Sequence, residues 1–299
     1  MTGFYSLIKR NTKLFFKDKG MFFTSLITPL ILLVLYATFL FNVYHDSFTS
    51  AVPESFYVDE KLVNGIVGGQ LVSSLLAVSC VTVSFCANML MVQDKVTGVI
   101  HDITITPVKR STMALGYYVA TLISTLMIGY IALAGGLVYL AAIGWYLSVA
   151  DVALAILDVF LLVMFGTALS SIINCSLSSQ GQISAVGTVV SSCYGFVCGA
   201  YMPISQFGDT LQKILMFLPG TYGTSLVRNH MMQGTFKEML AQNYPAEVVE
   251  AIKDSVDCNL YFFGDKVSSG AMYAVLGGSI AVLMAIYILI NVFSKKKLK

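Results

Sequence analysis

The chain has 299 residues, of which 57% are hydrophobic and 11% are charged, and its formal net charge at pH 7 is +2. Soluble domains carry about 25% charged residues, so this composition excludes a water-soluble fold and predicts a polytopic membrane protein. The nearly balanced charge contains no basic block, which argues against a nucleic-acid partner. The six cysteines show no zinc-ligand spacing and five lie in apolar runs, so we expect neither a metal site nor a disulfide framework.

Residues 1–20 predict an amphipathic helix that lies in the membrane interface, with its basic side toward anionic lipid headgroups. The apolar face holds Phe4, Leu7, Ile8, Leu14 and Phe15, and the opposite face holds Arg10, Lys13 and Lys17. Two interpretations stay open at this point: a topology anchor, or a helix that also contacts a partner.

A helix that crosses the hydrocarbon core needs about 20 predominantly apolar residues. Six runs meet this requirement, so we predict an all-α membrane protein with spans at 21–41, 65–92, 113–143, 149–173, 183–202 and 271–293. The second and third runs are longer than a span needs, and we expect them to tilt or to project beyond the bilayer.

Lysine and arginine concentrate in three segments: the N-terminal helix, the loop 93–111 and the tail 294–299. With six spans these segments share one side of the membrane, and the positive-inside rule makes that side cytoplasmic. Both termini are therefore expected in the cytoplasm.

The longest polar stretch, residues 203–270, lies outside in this topology. Its apolar piece 214–218 is too short to span, so we predict re-entrant or capping helices within a single transmembrane domain, 1–299. Pro245 is suited to begin a helix whose apolar face would hold Val248, Val249, Ile252 and Val256.

The cytoplasmic loop 93–111 reads QDKVTGVIHDITITPVKRS. Gly98 permits a bend and Pro107 ends a helix. In the short helix between them, Val99, Ile100 and Ile103 would form an apolar face flanked by Asp94, Lys95 and Asp102. Such a face in the cytosol is unfavourable unless a partner covers it. An ordinary solvated turn, explained by positive-inside bias alone, is the alternative.

Two spans carry small or polar residues on one face. In the fifth span a strict spacing of four predicts close helix approach, at a dimer seam, at the pathway or within one subunit, through Gly187, Ser191, Gly195 and Gly199. In the second span a polar stripe should face protein or water, and it includes Gln70, Ser74 and Asn88.

Asp158 lies about two turns inside the predicted fourth span. A carboxylate at the centre of a span disfavours insertion by about 2.5–3.5 kcal/mol. It is expected to line a cavity, to bind a cationic part of a substrate or to pair with a basic residue. The alternative is a later start of the span, with Asp158 reaching the outer interface beside Asp151.

No Gly-Lys pair occurs in the sequence, so the chain has no phosphate-binding loop of the G-x-x-x-x-G-K-[ST] type. The three histidines fall in different segments, and no paired carboxylates or nucleophile elbow are present. We predict no catalytic residues and no enzymatic activity in this chain itself.

The loop motif Gln93-Asp94-Lys95-Val96-Thr97-Gly98, followed by Thr106-Pro107-Val108-Lys109-Arg110 and Leu115-Gly116, resembles the coupling-helix region of ABC type-2 permeases. The run from Cys198 to Pro203 is similar to the family's glycine-to-proline exit from the fifth span. Pro219-Gly220-Thr221, with Arg228 and Gly234, resembles its outer re-entrant region. Asp94 stands where glutamate is commoner, a shorter side chain of the same charge.

The resemblance implies a half-transporter that dimerises with a second copy or a paralogue, in contact with membrane lipid. It implies that a separate cytosolic ATP-binding subunit docks on the coupling helix and the N-terminal helix, and that ATP and Mg²⁺ bind there, leaving this chain without a cofactor. It also implies export across a bacterial plasma membrane, and the apolar composition favours a drug, lipid or peptide substrate. The alternatives are a non-transporting sensor or assembly subunit, and an ion-coupled secondary transporter.

Overall fold

The computed structural model describes residues 2–42, residue 45 and residues 59–293, so the predicted basic tail lies outside the described residues. The helices in chain order are α1 (Thr2–Lys17), α2 (Lys19–Leu35), α3 (Glu60–Val96), α4 (Val99–Ile105), α5 (Arg110–Ile143), α6 (Val149–Ser176), α7 (Gln180–Val197), α8 (Asp209–Leu215), α9 (Pro219–Ala241), α10 (Ala246–Ser255) and α11 (Ser269–Phe293). A π-helical turn, Tyr36–Leu40, continues α2, and a 3-10 turn, Ile204–Gln206, precedes α8. Strands β1 (Tyr261–Phe262) and β2 (Asp265–Lys266) form an antiparallel hairpin, with Tyr261 opposite Lys266.

Helix α3 is the centre of the bundle. At 1.5 Å per residue its 37 residues extend about 55 Å, well beyond a hydrocarbon core of about 30 Å. Its apolar residues are distributed all round the helix, and 94% of its most apolar stretch is buried, as expected for a fully enclosed helix. Helices α2, α5, α6, α7 and α9 surround it. Glycines permit this closeness: a Cβ on Gly166 of α6 would lie 2.9 Å from the Cα of Val81.

Four helices of the described residues, α3, α5, α6 and α11, are long and apolar enough to cross a membrane. The number is up to five if α1 and α2, which are bent by 72° relative to each other, count as one span. The protein is therefore a multi-pass, all-α membrane protein. Of the six predicted spans, the first corresponds to α2, of 17 residues, and the fifth to α7, of 18 residues. Neither helix alone is among the four, so the count of six stays a prediction.

The N-terminal amphipathic helix is present as α1, but its apolar face contacts protein. Leu7 and Phe15 are buried, and α1 lies against α5, where a Cβ on Gly116 would approach the Leu7 Cδ2 atom to 2.5 Å. Helix α5 therefore covers part of the apolar face, and the placement of α1 in the membrane interface stays a prediction. Lys13 and Lys17 remain exposed. Asp18 accepts a hydrogen bond from the Met21 amide at 3.0 Å and so caps the start of α2.

The predicted fifth span, 183–202, ends earlier as a helix than we expected. Helix α7 stops at Val197, and Gly199 adopts a left-handed conformation with φ +72°, which ends the helix as glycine commonly does. The chain then folds back on itself, and the ring of Tyr201 packs against the position where Gly195 lacks a side chain.

The outer segment 203–270 holds α8, α9, α10 and the hairpin. Helix α10 begins directly after Pro245, as predicted, and Val249 is buried against Phe236 and Met239 of α9. Helix α9 does not lie on the surface: it packs against α3, α6 and α11 along its buried residues. Helix α9 is therefore part of the bundle and not a cap, and a capping role for α8 and α10 stays a prediction.

Candidate functional site

A groove of about 820 Å³ lies between α2, α3 and α7, and we call it the α2–α7 groove. Asp18, Gln93 and Gln180 lie at the end of the groove that is nearer α4, and Tyr201 lies at the other end. Its α2 wall extends from Asp18 to Leu32, about 21 Å at 1.5 Å per residue.

The groove combines hydroxyl groups with apolar side chains and holds no charge along its middle. The hydroxyl-bearing residues of its walls are Thr24, Thr28, Ser184, Thr188, Ser191 and Ser192, and Ile27, Ile31, Cys86 and Met89 add apolar surface. Thr188 donates to the Ser184 carbonyl at 2.9 Å, and Ser184 donates to the Gln180 carbonyl at 3.2 Å. Because these hydroxyl protons are already used within α7, the oxygens offer mainly acceptor lone pairs to the groove. The surface is suited to a neutral or amphipathic molecule.

The structure separates the predicted pathway residues into two groups. Gly187 and Ser191 line the α2–α7 groove. Gln70, Ser74, Asn88 and Asp158 are buried elsewhere in the bundle. The predicted stripe of four small residues on α7 is not one helix–helix seam, since Gly195 accommodates the ring of Tyr201 and Gly199 lies beyond the helix.

Two polar residues of α3 from the predicted stripe differ in their hydrogen bonding. Asn88 donates to the hydroxyl oxygens of Ser170 and Ser171 at 3.1 and 2.9 Å, which links α3 to α6. Both amide atoms of Gln70 are buried without a hydrogen-bond partner among the described residues.

Arg228 on α9 is fully buried, and it connects three parts of the chain. Its guanidinium donates to the Gly199 carbonyl at 2.9 Å and to the Ser74 hydroxyl at 3.3 Å, and it lies 3.4 Å from Asp257. Asp257 also accepts from the backbone amide of Ile204 at 2.6 Å. The turn after α7, the centre of α3 and the outer segment are thereby joined. The sequence identifies Arg228 only as part of the re-entrant motif and predicts none of these contacts.

Asp158 does not reach the outer interface beside Asp151. It is 1% exposed, accepts a hydrogen bond from the Tyr273 hydroxyl at 2.6 Å, and lies 2.5 Å from Nδ1 of His230. The pairing with a basic residue, one of the expected roles, is the one that the structure shows. Asp151 instead forms a capping box with Ser148 at the start of α6.

The loop 93–111 contains the predicted short helix, α4, between Gly98 and Pro107. Gly98 has φ +81°, a conformation that favours glycine, and Thr106 before Pro107 is extended. His101, Asp102 and Pro107 are exposed, and Val99 and Ile103 are half-buried. Ile100 is only 6% exposed, so its predicted place on an exposed apolar face was wrong. The exposed apolar side chains here are Val96 and Ile105, which are 48% and 74% exposed.

Asp94 was predicted to flank the exposed face of α4. Instead, it lies buried in the last turns of α3. Its carboxylate accepts two hydrogen bonds from the Arg10 guanidinium, at 2.7 and 3.0 Å, and a third from the Tyr117 hydroxyl. The hydrogen bond to Asp94 raises the pKa of Arg10. Helices α1, α3 and α5 therefore meet at one carboxylate, and Arg10 is not free for lipid headgroups.

Lys95 closes the same junction toward α6. Its ammonium donates to the carbonyls of Asn174 and Leu177, each at 3.2 Å, at the C-terminal end of α6. A cation in this place satisfies carbonyls that the helix leaves without partners. Four long or amphipathic helices are thus fixed directly beside α4.

A family model described as ABC-2 type transporter matches residues 2–232. The chain therefore belongs to the ABC-2 type transporter family, and it is a transmembrane transport component, not a catalytic domain. None of the curated proteins matches the chain.

Proposed function

We propose that this protein is the membrane half of an ATP-driven exporter in a bacterial plasma membrane, with both termini in the cytoplasm. A separate cytosolic subunit binds and hydrolyses ATP with Mg²⁺ and docks on α4 and α1. A second copy or a paralogue completes the transporter.

One observation carries this proposal: α4, a largely exposed helix of seven residues, directly follows the end of α3, which hydrogen bonds fix to neighbouring helices. Gly98 joins α4 to α3, and Asp94 binds α1 and α5 through Arg10 and Tyr117. Lys95 adds α6. Since interfaces of this kind shift between discrete arrangements, a displacement of α4 by a partner moves several helices together.

The α2–α7 groove supports a pathway that two chains complete. The groove lies on the surface of the single chain, where α7 exposes Ser184, Thr188, Val189 and Phe196. Serine and threonine hydroxyls on a membrane-embedded surface are better accommodated by protein or water than by lipid. A second permease placed against this surface encloses the groove.

The chemistry of the groove supports the proposed substrate class. Hydroxyl oxygens alternate with isoleucine and methionine, and charged groups are confined to the Asp18 end. Such a surface binds an amphipathic or hydrophobic molecule, such as a drug, a lipid or a peptide, by apolar contact with a few hydrogen bonds.

The docking of the ATP-binding subunit is tested by purifying the tagged chain from its native host and measuring retained ATPase activity. We expect Ile105→Asp to reduce this activity at least tenfold, because it places a charge in the exposed apolar part of α4. Val149→Asp is the matched control: Val149 is 89% exposed at the start of α6, at the opposite end of α5 from α4.

Retained activity in both variants would contradict docking on α4. A wild-type preparation without ATPase activity would favour a sensor or a secondary transporter. ATPase activity that no amphipathic compound stimulates would favour the sensor over the exporter.

A further inference from the structure

A second groove, of about 490 Å³, lies between α2, α3 and α5, with Phe16 of α1 at one end. We call it the α2–α5 groove. Phe22, Leu30, Leu33, Met127 and Ile131 line it, and Tyr36 and Tyr139 lie at its far end. From Phe22 to Tyr36 it follows α2 for about 21 Å at 1.5 Å per residue. It is separate from the α2–α7 groove and plays no part in the proposed function.

The dimensions of the α2–α5 groove fit a chain-like ligand, because about 490 Å³ is spread along about 21 Å of α2. A single acyl chain is narrow enough to lie along it between α2 and α5.

Two glycines on α5 keep the groove open. Gly136 faces α3, where a Cβ would lie 2.5 Å from the Cγ1 atom of Val72. Gly135 faces the groove, and no atom lies within 4 Å of the position that its Cβ would take. The space beside Gly135 is therefore available to a ligand or to an engineered side chain.

Positive charge is present at the Phe16 end. Lys13, Phe16 and Lys17 stand at i, i+3 and i+4 on α1, so they share one face of that helix. Both lysines are exposed, and neither forms an ion pair among the described residues. Both lysines therefore lie within one helical turn of Phe16, the aromatic side chain at this end of the groove.

We propose that the α2–α5 groove is a binding site for an anionic phospholipid. One acyl chain lies along α2 beside Gly135, and the phosphate-bearing headgroup binds Lys13 and Lys17. The occupant is a resident lipid of the leaflet on the α1 side, which stabilises the position of α2 against α5.

Native mass spectrometry of the full chain in detergent tests this site, by titration with phosphatidylglycerol and with phosphatidylcholine of the same acyl chains. We expect one phosphatidylglycerol per chain to bind at least tenfold more tightly than phosphatidylcholine. Gly135→Trp fills the groove and should weaken phosphatidylglycerol binding at least tenfold. Gly278→Trp on α11 is the matched control, since Gly278 is likewise exposed with no atom near its Cβ position, and it should bind as wild type does.

The headgroup contact is tested by Lys13→Gln with Lys17→Gln, which should lower the affinity for phosphatidylglycerol to that for phosphatidylcholine. Lys213→Gln with Lys237→Gln, at exposed positions on α8 and α9, is the charge-matched control. Should Gly135→Trp fail to fold, Met127→Trp, at a half-exposed position on the same wall, replaces it. Wild-type affinity in the groove-filling variant, or equal affinity for the two lipids in wild type, would overturn the proposal.

Discussion

Asp94 is a buried carboxylate where α1, α3 and α5 meet, and its partners come from two other helices. Arg10 supplies two hydrogen bonds and Tyr117 a third. Hydrogen bonds to a charged group are worth about 1.5–3 kcal/mol, and removal of one partner leaves the others unsatisfied. The side chain therefore contributes to the stability of the junction as well as to its geometry.

We expect Asp94→Asn to lower the free energy of unfolding by about 2 kcal/mol, because the amide cannot accept from all three donors. Thermal unfolding in detergent measures the loss. Asp102→Asn, at an exposed position on α4, should leave the melting temperature unchanged. Equal effects of the two substitutions would show that the contacts of Asp94 do not stabilise the fold.

Glu250 connects α10 to the outer hairpin. Lys253 and Lys266 hold its carboxylate at 2.8 and 2.9 Å, and their hydrogen bonds lower its pKa to about 2. The ordinary pKa of glutamate is about 4.3. A lowered pKa means that the stabilisation is complete above about pH 4.3 and is lost as the pH falls toward about 2.

Glu250→Gln should therefore lower the melting temperature at pH 7 and have no effect near pH 2. The loss should stay below about 1 kcal/mol, because the pair is exposed and screened. Melting curves of wild type and variant at pH 7, 4 and 2 measure this convergence. Glu247→Gln on the exposed face of α10 is the control, and a pH-independent difference for Glu250→Gln would contradict the assignment.

At the scale of elements, α9 shows how a polar helix becomes part of a membrane bundle. Its residues Arg228 and His230 find partners on other elements, in Asp257 and Asp158. Close approach is possible because α9 presents Gly234 to the loop between α5 and α6. A Cβ on Gly234 would overlap the backbone carbonyl of Tyr146, whose carbon would lie 2.6 Å away.

Gly234→Ala should destabilise the protein by about 1–3 kcal/mol, as overpacking of a rigid contact does. Gly278→Ala is the matched helical control, with nothing near its Cβ position. It should be neutral or stabilising by about 0.5–1 kcal/mol, since alanine favours a helix interior. Denaturation in detergent compares the two, and similar stabilities would mean that α9 is free to shift away from Tyr146.

The sequence predicts those elements whose signals are local. The long apolar runs identify α3, α5, α6 and α11, and Gly98 with Pro107 brackets α4. Helix α9 was harder to predict, because its polar residues are balanced by partners far away in the chain. For the same reason the pattern of α3 indicated a polar stripe but not that Ser74 meets Arg228, 154 residues later.

The burial of individual residues was the least predictable feature. Ile100 and Asp94 belong to the short polar stretch 93–111, where the sequence predicts exposed side chains. Tertiary contacts bury both. Asp158 pairs with residues 72 and 115 positions away. Contacts over such separations leave no periodic trace in a single sequence.

At the scale of the whole molecule, the junction at Asp94, the α2–α7 groove and the Arg228 network all contact α3 and follow one another along it. The junction of Asp94 and Lys95 lies beside α4, the α2–α7 groove extends from there, and the Arg228 network fixes the turn after α7. In our account a movement of α4 is passed to α2, α3 and α7 and changes which end of the groove is open.

The measurement that tests this account most directly is the labelling rate of a cysteine in the α2–α7 groove. Thr188→Cys in a background of Cys86→Ser and Cys193→Ser places a single thiol on the groove wall, since Cys86 also lines the groove and Cys193 is the exposed one of the six native cysteines. A membrane-impermeant maleimide is added to vesicles of either orientation that contain the complex with its ATP-binding subunit. Val149→Cys in the same background, 89% exposed at the start of α6 and outside the groove lining, is the control.

We predict that trapping the complex with ATP changes the labelling rate of the Thr188→Cys variant several-fold, in opposite directions from the two sides of the membrane. The change should disappear when Ile105→Asp is added, and the Val149→Cys control should label at the same rate with and without nucleotide. A labelling rate of the groove thiol that is the same with and without nucleotide would contradict the transmission of ATP-driven movement from α4 to the groove.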